Sequence, residues 1–128
     1  MTQQASRLFV AIVDDDLSVV QSLGLLFESA DYEVRLFTSG MALLKSGCLP
    51  EIDCLVSDID MPGMDGFAVL REVHARRPDL PAILITGYPD KLKRLPPGEL
   101  GTTLIFAKPL QGPELLAAVS EALRDRRI

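Results

Sequence analysis

Apolar residues recur along the chain in five short runs, and longer segments with helical spacing separate them. Leu8–Val13 is continuously apolar, which is typical of a strand that is covered on both faces. The next segment places Val20, Leu23 and Phe27 on one apolar stripe at helical spacing. Tyr32–Phe37 instead alternates apolar and charged residues, as an edge strand does. The pattern therefore predicts strand, helix and strand in succession.

The same alternation continues to the end of the chain. Five strands alternating with helices favour an α/β fold, with a parallel sheet covered by helices on both faces. Only the connection between the fourth and fifth strands breaks the pattern: Pro96, Pro97 and Gly98 interrupt it, so we expect at most a short helix around Asp90–Leu95. The other predicted strands are Cys54–Ser57, Ala82–Ile85 and Thr103–Ala107, and the other predicted helices are Ser39–Gly47, Gly66–Arg77 and Glu114–Arg126.

Composition limits the class of protein. A chain of 128 residues, 48 % apolar and 24 % charged, suits one globular domain. Its net charge of −5 disfavours binding to nucleic-acid phosphates. No apolar run approaches the roughly 18–20 residues of a membrane span, and Met1–Arg7 lacks the apolar stretch of a signal peptide. We therefore expect a cytoplasmic protein that binds neither nucleic acid nor membrane.

Cysteine and histidine leave little room for thiol, zinc or histidine chemistry. Cys48 and Cys54 are the only cysteines, without a second pair at zinc spacing, and we expect reduced, partly buried thiols. His74 is the only histidine, and we expect it to be exposed on a helix. A catalytic pair of histidine with serine or cysteine is therefore not favoured.

Polar residues stand where four of the five predicted strands end. Open α/β sheets bind ligands beyond the carboxyl ends of their strands, so these side chains are expected to converge. Taken singly, each acid is also an ordinary solvated residue at a helix N-terminus. Taken together, they predict one site. In chain order they are Asp14, Asp15 and Asp16 after the first strand, Asp58 and Asp60 at the third, Thr86 at the fourth and Lys108 at the fifth.

This set of side chains is suited to phosphoryl transfer. Clustered carboxylates repel one another and must bind a cation or shift their pKa values. Oxygen-only ligands favour Mg²⁺ or a similar hard ion. A carboxylate beside that ion can attack phosphorus, while the metal and a lysine neutralise the transferring group and a hydroxyl holds one of its oxygens. The sequence supplies each of these parts.

The chain also resembles the receiver domain of two-component response regulators over nearly its whole length. The resemblance implies a flavodoxin-like, doubly wound (βα)5 sheet with strand order 2-1-3-4-5, and one receiver domain over residues 1–128. Four stretches carry it, of which the second is the most specific: IVDDD (Ile12–Asp16), SDIDMPGMDG (Ser57–Gly66), ILITG (Ile83–Gly87) and FAKPL (Phe106–Leu110).

The resemblance implies a role for each acid. Asp58 is the expected phosphoacceptor. Asp15 and Asp58 are expected to ligate Mg²⁺ through their side chains, and Asp60 through its backbone carbonyl. Asp14 is expected to order a metal-bound water without ligating the ion, and Asp16 to be a companion acid. No cofactor other than Mg²⁺ is expected.

The resemblance also assigns the two remaining polar residues. Thr86 is expected to bind a phosphoryl oxygen, and Lys108 is expected to pair with Asp58 and then with the phosphate. The peptide bond between Lys108 and Pro109 is expected to be cis.

The chain departs from the family pattern at two places. The family usually has an aromatic residue three places before the lysine that matches Lys108, where this chain has Ile105, with Phe106 one place later. Gly87 and Tyr88 follow Thr86, so the loop over the phosphate differs too. We therefore expect the phosphorylation chemistry to be kept and the signalling step to differ.

The leading hypothesis is a signalling module that takes a phosphoryl group from a histidine kinase or phosphotransfer protein. It is not expected to be a conventional enzyme, although it assists its own phosphorylation and hydrolysis. The chain ends after its last predicted helix, so we expect no output domain, and a start at Met1 favours a stand-alone protein over a piece of a hybrid kinase. Output would then be contact with an unidentified protein, by a monomer or weak dimer, or the module would be a phosphate sink or shuttle.

Two alternatives remain. Asp58-x-Asp60 after an apolar strand also matches the motif of haloacid-dehalogenase-like phosphatases, but that family carries the motif on its first strand and needs a cap domain. A pseudo-receiver would keep the fold as a binding module without phosphorylation. The complete set of site residues argues against it, while Ile105 and the interrupted fourth connection favour it.

Overall fold

A parallel five-stranded sheet forms the centre of the protein, and its strands, numbered along the chain, lie in the order 2-1-3-4-5, as the resemblance predicted. The computed structural model describes residues 7–88, 90, 103–109 and 111–126. Each strand lies within one residue of its predicted bounds. The strands are β1 (Phe9–Val13), β2 (Glu33–Phe37), β3 (Cys54–Asp58), β4 (Ala82–Thr86) and β5 (Leu104–Ala107).

Among the described residues, helices follow the first, second, third and fifth strands, and side chains cap the first turns of the first three of these helices. Asp16 accepts a hydrogen bond from the Ser18 N–H, and Asp65 accepts one from Ala68, which satisfies N–H groups that the helix leaves unpaired. A short 3-10 helix, Leu49–Glu51, was not predicted. The short helix expected around Asp90–Leu95 falls, apart from Asp90, outside the described residues. The helices are α1 (Leu17–Ser29), α2 (Gly40–Lys45), α3 (Gly66–Arg76) and α4 (Gly112–Arg126).

The sheet is covered on both faces, because successive residues of each strand point to opposite sides. On β1, Ala11 and Val13 join the core under α2 and α3, whereas Val10 and Ile12 join the core under α1 and α4. Both faces are apolar, and this explains why β1, β3 and β4 read as continuous apolar runs. The edge strand β2 alternates apolar and charged residues, whereas β5 at the opposite edge is apolar throughout.

Gly66 sets how closely α3 approaches the end of β3. A Cβ atom at this position would lie 2.5 Å from the carbonyl oxygen of Asp58 and 2.7 Å from the Cα of Ile59. The Gly66 N–H donates to the Ile59 carbonyl at 3.0 Å. Since those neighbours are backbone atoms, they cannot yield as a flexible side chain would. The helix therefore rests directly on the segment that carries Asp58.

Two expectations about individual residues can be compared with the structure. His74 lies on α3, but the expectation that it is exposed was wrong: it is half-buried, and its Nε2 donates to the Leu80 carbonyl at 3.0 Å. The reason is the turn before β4, which folds back under the helix and closes with a Leu80 N–H bond to Arg77. Cys48 is half-buried and Cys54 buried, and neither forms a disulfide.

No helix among the described residues is both long and apolar enough to cross a membrane.

Candidate functional site

Four strand ends bring the predicted residues to one edge of the sheet. The register pairs Val13 with Ser57, Asp58 with Ile85, and Thr86 with Ala107, so the residues that end or follow these strands are neighbours. Among the described core residues, four polar side chains are buried: Asp14, Ser57, Asp58 and Thr86. Three of these four belong to the predicted site. Because burial of an unpaired polar group is costly, their concentration here indicates a functional site.

Asp14 and Asp58 are carboxylates in a poorly solvated place. Only 2 % of Asp14 and 3 % of Asp58 is exposed. Burial, with the charges of Asp58 and Asp15 adding to it, raises the pKa of Asp14 to about 6, although a hydrogen bond from the Asp16 N–H (2.9 Å) and the Lys108 charge oppose this. Burial likewise raises the pKa of Asp58. Both carboxylates are therefore more basic than usual, and a nearby cation would stabilise their charged forms.

Lys108 supplies positive charge at this point. Its Nζ lies 3.4 Å from Asp58 Oδ1 and 3.9 Å from Asp14 Oδ2. The Lys108 backbone N–H donates to the Thr86 carbonyl at 2.8 Å, which holds the start of the segment after β5 against β4. The Lys108–Pro109 bond is cis, as the resemblance implied. The ammonium thus stands beside the buried carboxylates, and its side chain is 37 % exposed.

Asp14, Asp15 and Asp58 form what we call the carboxylate side of the site. Each offers one oxygen, and these three oxygens lie within 4.8 Å of one another. Asp15 is exposed, unlike the other two. Asp58 Oδ1 is buried and has no hydrogen-bond partner among the described residues. An all-oxygen donor set containing one unsatisfied buried oxygen fits a hard divalent cation such as Mg²⁺.

Asp60, Thr86 and Gly87 form a second group, the hydroxyl side of the site. The Thr86 hydroxyl donates to Asp60 Oδ2 at 2.9 Å, and the Gly87 N–H donates to the same oxygen at 3.2 Å. The Tyr88 N–H in turn donates to Thr86 Oγ1 at 2.9 Å. Sequence reasoning gave Asp60 only a backbone role and missed these contacts. The spacing of Asp58 and Asp60 places both near the strand end, but nothing in it indicates that Thr86 is the partner.

Asp16 lies apart from both groups. Its carboxylate accepts from the Ser18 N–H at 2.9 Å and the Ser18 hydroxyl at 2.7 Å. These bonds, the side-chain one first, lower the pKa of Asp16. Asp16 is the N-cap of α1.

The aromatic position of the family is occupied differently. Ile105 is half-buried and packs against the core under α2 and α3, whereas Phe106 packs against the core on the opposite face. Since neighbouring residues on a strand point to opposite faces, Phe106 cannot replace an aromatic side chain at position 105. This departure from the family pattern is therefore present in the structure as well as in the sequence.

Comparison with known proteins identifies a family. The family model described as "Response regulator receiver domain" matches residues 10–120. The transcriptional regulatory protein FixJ of Bradyrhizobium diazoefficiens is 32 % identical over 118 residues, covering 91 % of this chain and 57 % of FixJ. The chain spans about half the length of the curated relatives it matches.

Solved structures agree in fold. A CheY-like receiver domain protein from Methanospirillum hungatei has a TM-score of 0.82 at 25 % identity, covering 95 % of this chain and 98 % of that one. The receiver domain of DrrB, described as BeF3 activated, has a TM-score of 0.82 at 25 % identity, covering 93 % of this chain and 99 % of that one. Both are similar over nearly the whole of each chain.

Proposed function

This chain belongs to the response regulator receiver family, and from that premise we propose that it is a phosphoacceptor of two-component signalling. Asp58 takes a phosphoryl group from a histidine kinase or a phosphotransfer protein. The observation that supports this proposal best is the Asp58 carboxylate itself: it is buried at the end of β3, its Oδ1 lacks a hydrogen bond from any described residue, and the Lys108 ammonium lies 3.4 Å away. Such an oxygen is a nucleophile held in place.

The reaction in this proposal depends on Mg²⁺. The side chains of Asp15 and Asp58 and the backbone carbonyl of Asp60 would hold the ion, and Asp14 would order one of its waters. When bound, Mg²⁺ would neutralise charge on the carboxylates and on the phosphoryl oxygens. The three converging oxygens of Asp14, Asp15 and Asp58 support this assignment.

The transfer follows from what the side chains can do. An Asp58 carboxylate oxygen forms a bond to phosphorus as the phosphorus–nitrogen bond of a phosphohistidine breaks, and the electron pair of that bond returns to the imidazole ring. Lys108 is placed to balance negative charge on the phosphoryl group. The Thr86 hydroxyl donates a hydrogen bond to one phosphoryl oxygen. Both contributions are electrostatic and rest on positioning, which is how phosphoryl transfer is generally catalysed.

The wider role is also part of the proposal. Residues 1–128 act as one receiver domain, a signalling module and not a conventional enzyme, and it signals by contact with another protein. The relative FixJ is named as a transcriptional regulatory protein. We propose that this chain acts in the cytoplasm. The isoleucine at position 105 supports a signalling step that differs from the usual aromatic switch.

Phosphorylation by a small donor tests the proposal without the cognate kinase. The protein is incubated with acetyl phosphate and Mg²⁺, and its intact mass is measured for wild type and for Asp58→Asn. We expect one added phosphoryl group in wild type and none in the variant. The Asp79→Asn protein is the matched control, because Asp79 is exposed and lies at the opposite edge of the sheet.

Other outcomes would support the alternatives. No adduct, together with no release of free phosphate and with partner binding that is independent of phosphorylation, would contradict the proposal and favour a pseudo-receiver. Release of phosphate from many unrelated esters would favour a phosphatase. An adduct of equal size in the Asp58→Asn protein would show that another residue accepts the group.

A further inference from the structure

One carboxylate oxygen occupies both donors at the end of β4. Asp60 Oδ2 accepts from the Thr86 hydroxyl at 2.9 Å and from the Gly87 N–H at 3.2 Å. Thr86 is fully buried, so its hydroxyl is shielded from bulk water. An O–H and an N–H from consecutive residues that converge on one negatively charged oxygen form a two-donor anion site. In this structure the anion is supplied by the protein itself.

A phosphoryl oxygen has the same requirement as this carboxylate oxygen, since both are negatively charged and accept short hydrogen bonds. The Thr86 hydroxyl has a single proton and cannot donate it to two acceptors. If Asp58 carries a phosphoryl group and Thr86 binds one of its oxygens, the bond between Thr86 and Asp60 has to break. The two anions therefore compete for one proton.

We propose that the Asp60 carboxylate is an internal ligand of the phosphoryl-oxygen site and must be displaced when Asp58 is phosphorylated. This inference rests on the proposed function and deepens it. It assigns a regulatory role to the side chain of Asp60, a residue that otherwise contributes only its backbone carbonyl to the proposed site. Asp60 is a positioning residue here: it holds Thr86 and Gly87 in place and sets how much free energy phosphorylation must supply to recruit them.

The same displacement offers a route for the signal. The Thr86 hydroxyl accepts a hydrogen bond from the Tyr88 N–H, so rotation of Thr86 towards a phosphoryl group disturbs residue 88 as well. Tyr88 is 61 % exposed, and a change there is visible to a partner protein. Position 105 carries isoleucine, so we assign this response to residues 86–88.

Affinity for beryllofluoride, a phosphoryl analogue that forms without a kinase, tests the competition. Its affinity is measured in the presence of Mg²⁺ by titration of backbone amide chemical shifts. Asp60→Ala removes the competing anion and keeps the backbone carbonyl, so we expect about tenfold tighter binding. Asp60→Asn keeps a neutral acceptor and should lie between Asp60→Ala and wild type. Asp79→Asn removes the same charge from a distant exposed site and should bind within about twofold of wild type.

The direction of the change separates displacement from a merely structural role. Damage to the fold would weaken binding of the analogue, whereas loss of a competitor strengthens it. A second readout needs neither metal nor analogue: in Asp60→Ala the Gly87 amide should lose its hydrogen bond, which moves its proton shift upfield and speeds its exchange with solvent. In wild type, addition of the analogue should shift the carboxylate carbon of Asp60.

Three results would overturn the inference: Asp60→Ala binds the analogue no more tightly than wild type, the Gly87 amide is unchanged in that variant, or the Asp60 carboxylate carbon does not respond to the analogue. These failures are distinct from failure of the proposed function. If wild type accepts neither beryllofluoride nor a phosphoryl group, the proposed function fails and the inference falls with it. If wild type accepts both and only Asp60→Ala behaves unexpectedly, the inference alone fails.

Discussion

On the carboxylate side of the site, three acids bring oxygens within 4.8 Å of one another, and one buried oxygen of Asp58 has no hydrogen bond from a described residue. On the hydroxyl side, the Thr86 hydroxyl and the Gly87 N–H are both already bonded to Asp60. On the first side, Asp58 Oδ1 has the Lys108 ammonium at 3.4 Å but no hydrogen bond from a described residue, whereas both donors on the second side are already hydrogen-bonded. A cation would gain new interactions on the carboxylate side, whereas a phosphoryl oxygen would have to replace existing hydrogen bonds on the hydroxyl side.

This difference separates two tasks that one reaction has to perform. Desolvated carboxylates favour binding of a cation, because the cation relieves their repulsion. The Asp58 oxygen that lacks a hydrogen bond from a described residue is also available for attack on phosphorus. Satisfied donors resist rearrangement until a competing anion arrives. In the proposed reaction, the carboxylate side would therefore drive the chemistry, and the hydroxyl side would rearrange only when a phosphoryl oxygen competes for its donors. Four variants test the carboxylate side, its lysine and the backbone on which the site rests.

The largest effect is expected from Lys108→Met, which removes the ammonium beside Asp58 and Asp14 and keeps an apolar side chain. Phosphorylation by acetyl phosphate should slow on the order of 10²-fold, as when one preorganised charge-stabilising group is lost. The measurement is the time course of the intact-mass adduct. Lys45→Met, at the exposed end of α2, serves as control and should react at the wild-type rate. A rate for Lys108→Met within twofold of wild type would remove Lys108 from the mechanism.

The next effect is on metal binding. Mg²⁺ at about 100 times its dissociation constant should raise the free energy of unfolding by about 2.7 kcal/mol, and Tm by roughly 10 °C, because it binds the folded state alone. Asp15→Ala should lose most of this rise, and its exposed position should leave the fold intact. The measurement is thermal unfolding with and without Mg²⁺. Glu28→Ala, an exposed acid on α1, should keep the full rise, and a full rise in Asp15→Ala would refute the metal assignment.

Gly66→Ala disturbs the backbone shared by both sides. The added Cβ meets backbone atoms of Asp58 and Ile59 at 2.5–2.7 Å, so we expect a loss of about 1–3 kcal/mol in unfolding free energy. Gly24→Ala is the matched control. Its Cβ would meet only the flexible ends of Leu36 at 3.1 Å, and alanine favours the helix. Urea unfolding distinguishes them, and equal midpoints for the two variants would show that the close approach at Gly66 is not tight.

The smallest effect concerns pH. The pKa of Asp14 is raised to about 6 from 3.8, so between these values the folded state holds a proton that the unfolded state has lost. The contribution of Asp14 to the free energy of unfolding therefore falls as pH rises from about 4 to 6, and it stays low above pH 6. Without Mg²⁺, Asp14→Asn should be more stable than wild type at pH 7 by on the order of 1 kcal/mol, because it removes a buried charge. The loss of the ion pair with Lys108 offsets part of this gain.

Unfolding of the two proteins across pH 4–8 checks this expectation. The gap should close as pH falls towards 4, because wild-type Asp14 is then protonated in the folded state. The amide oxygen in the Asp14→Asn protein can still accept the hydrogen bond from the Asp16 N–H, so loss of that bond does not complicate the comparison. A constant gap across this range would show that Asp14 is not the titrating group.

The fold was largely predictable from the sequence, and the carboxylate side of the site nearly as much. Strands β1, β3 and β4 are buried on both faces, so their apolar runs stand out, and polar residues at their ends mark the edge where a ligand binds. On the hydroxyl side, Asp60 and Thr86 were predicted to lie at the site, but the hydrogen bond between them was not, because it depends on the side-chain direction after β3 and on the distance to Thr86. His74 was misplaced for a similar reason, since the turn that covers it leaves no periodic signal.

Chemical trapping tests the central claim most directly. The protein is phosphorylated with acetyl phosphate and Mg²⁺, and borohydride then reduces an aspartyl phosphate to homoserine, which peptide mass spectrometry locates along the chain. We predict homoserine at position 58 alone. Homoserine at position 15 or 60 instead, or an adduct that borohydride leaves unreduced, would contradict the assignment of Asp58 as the phosphoacceptor.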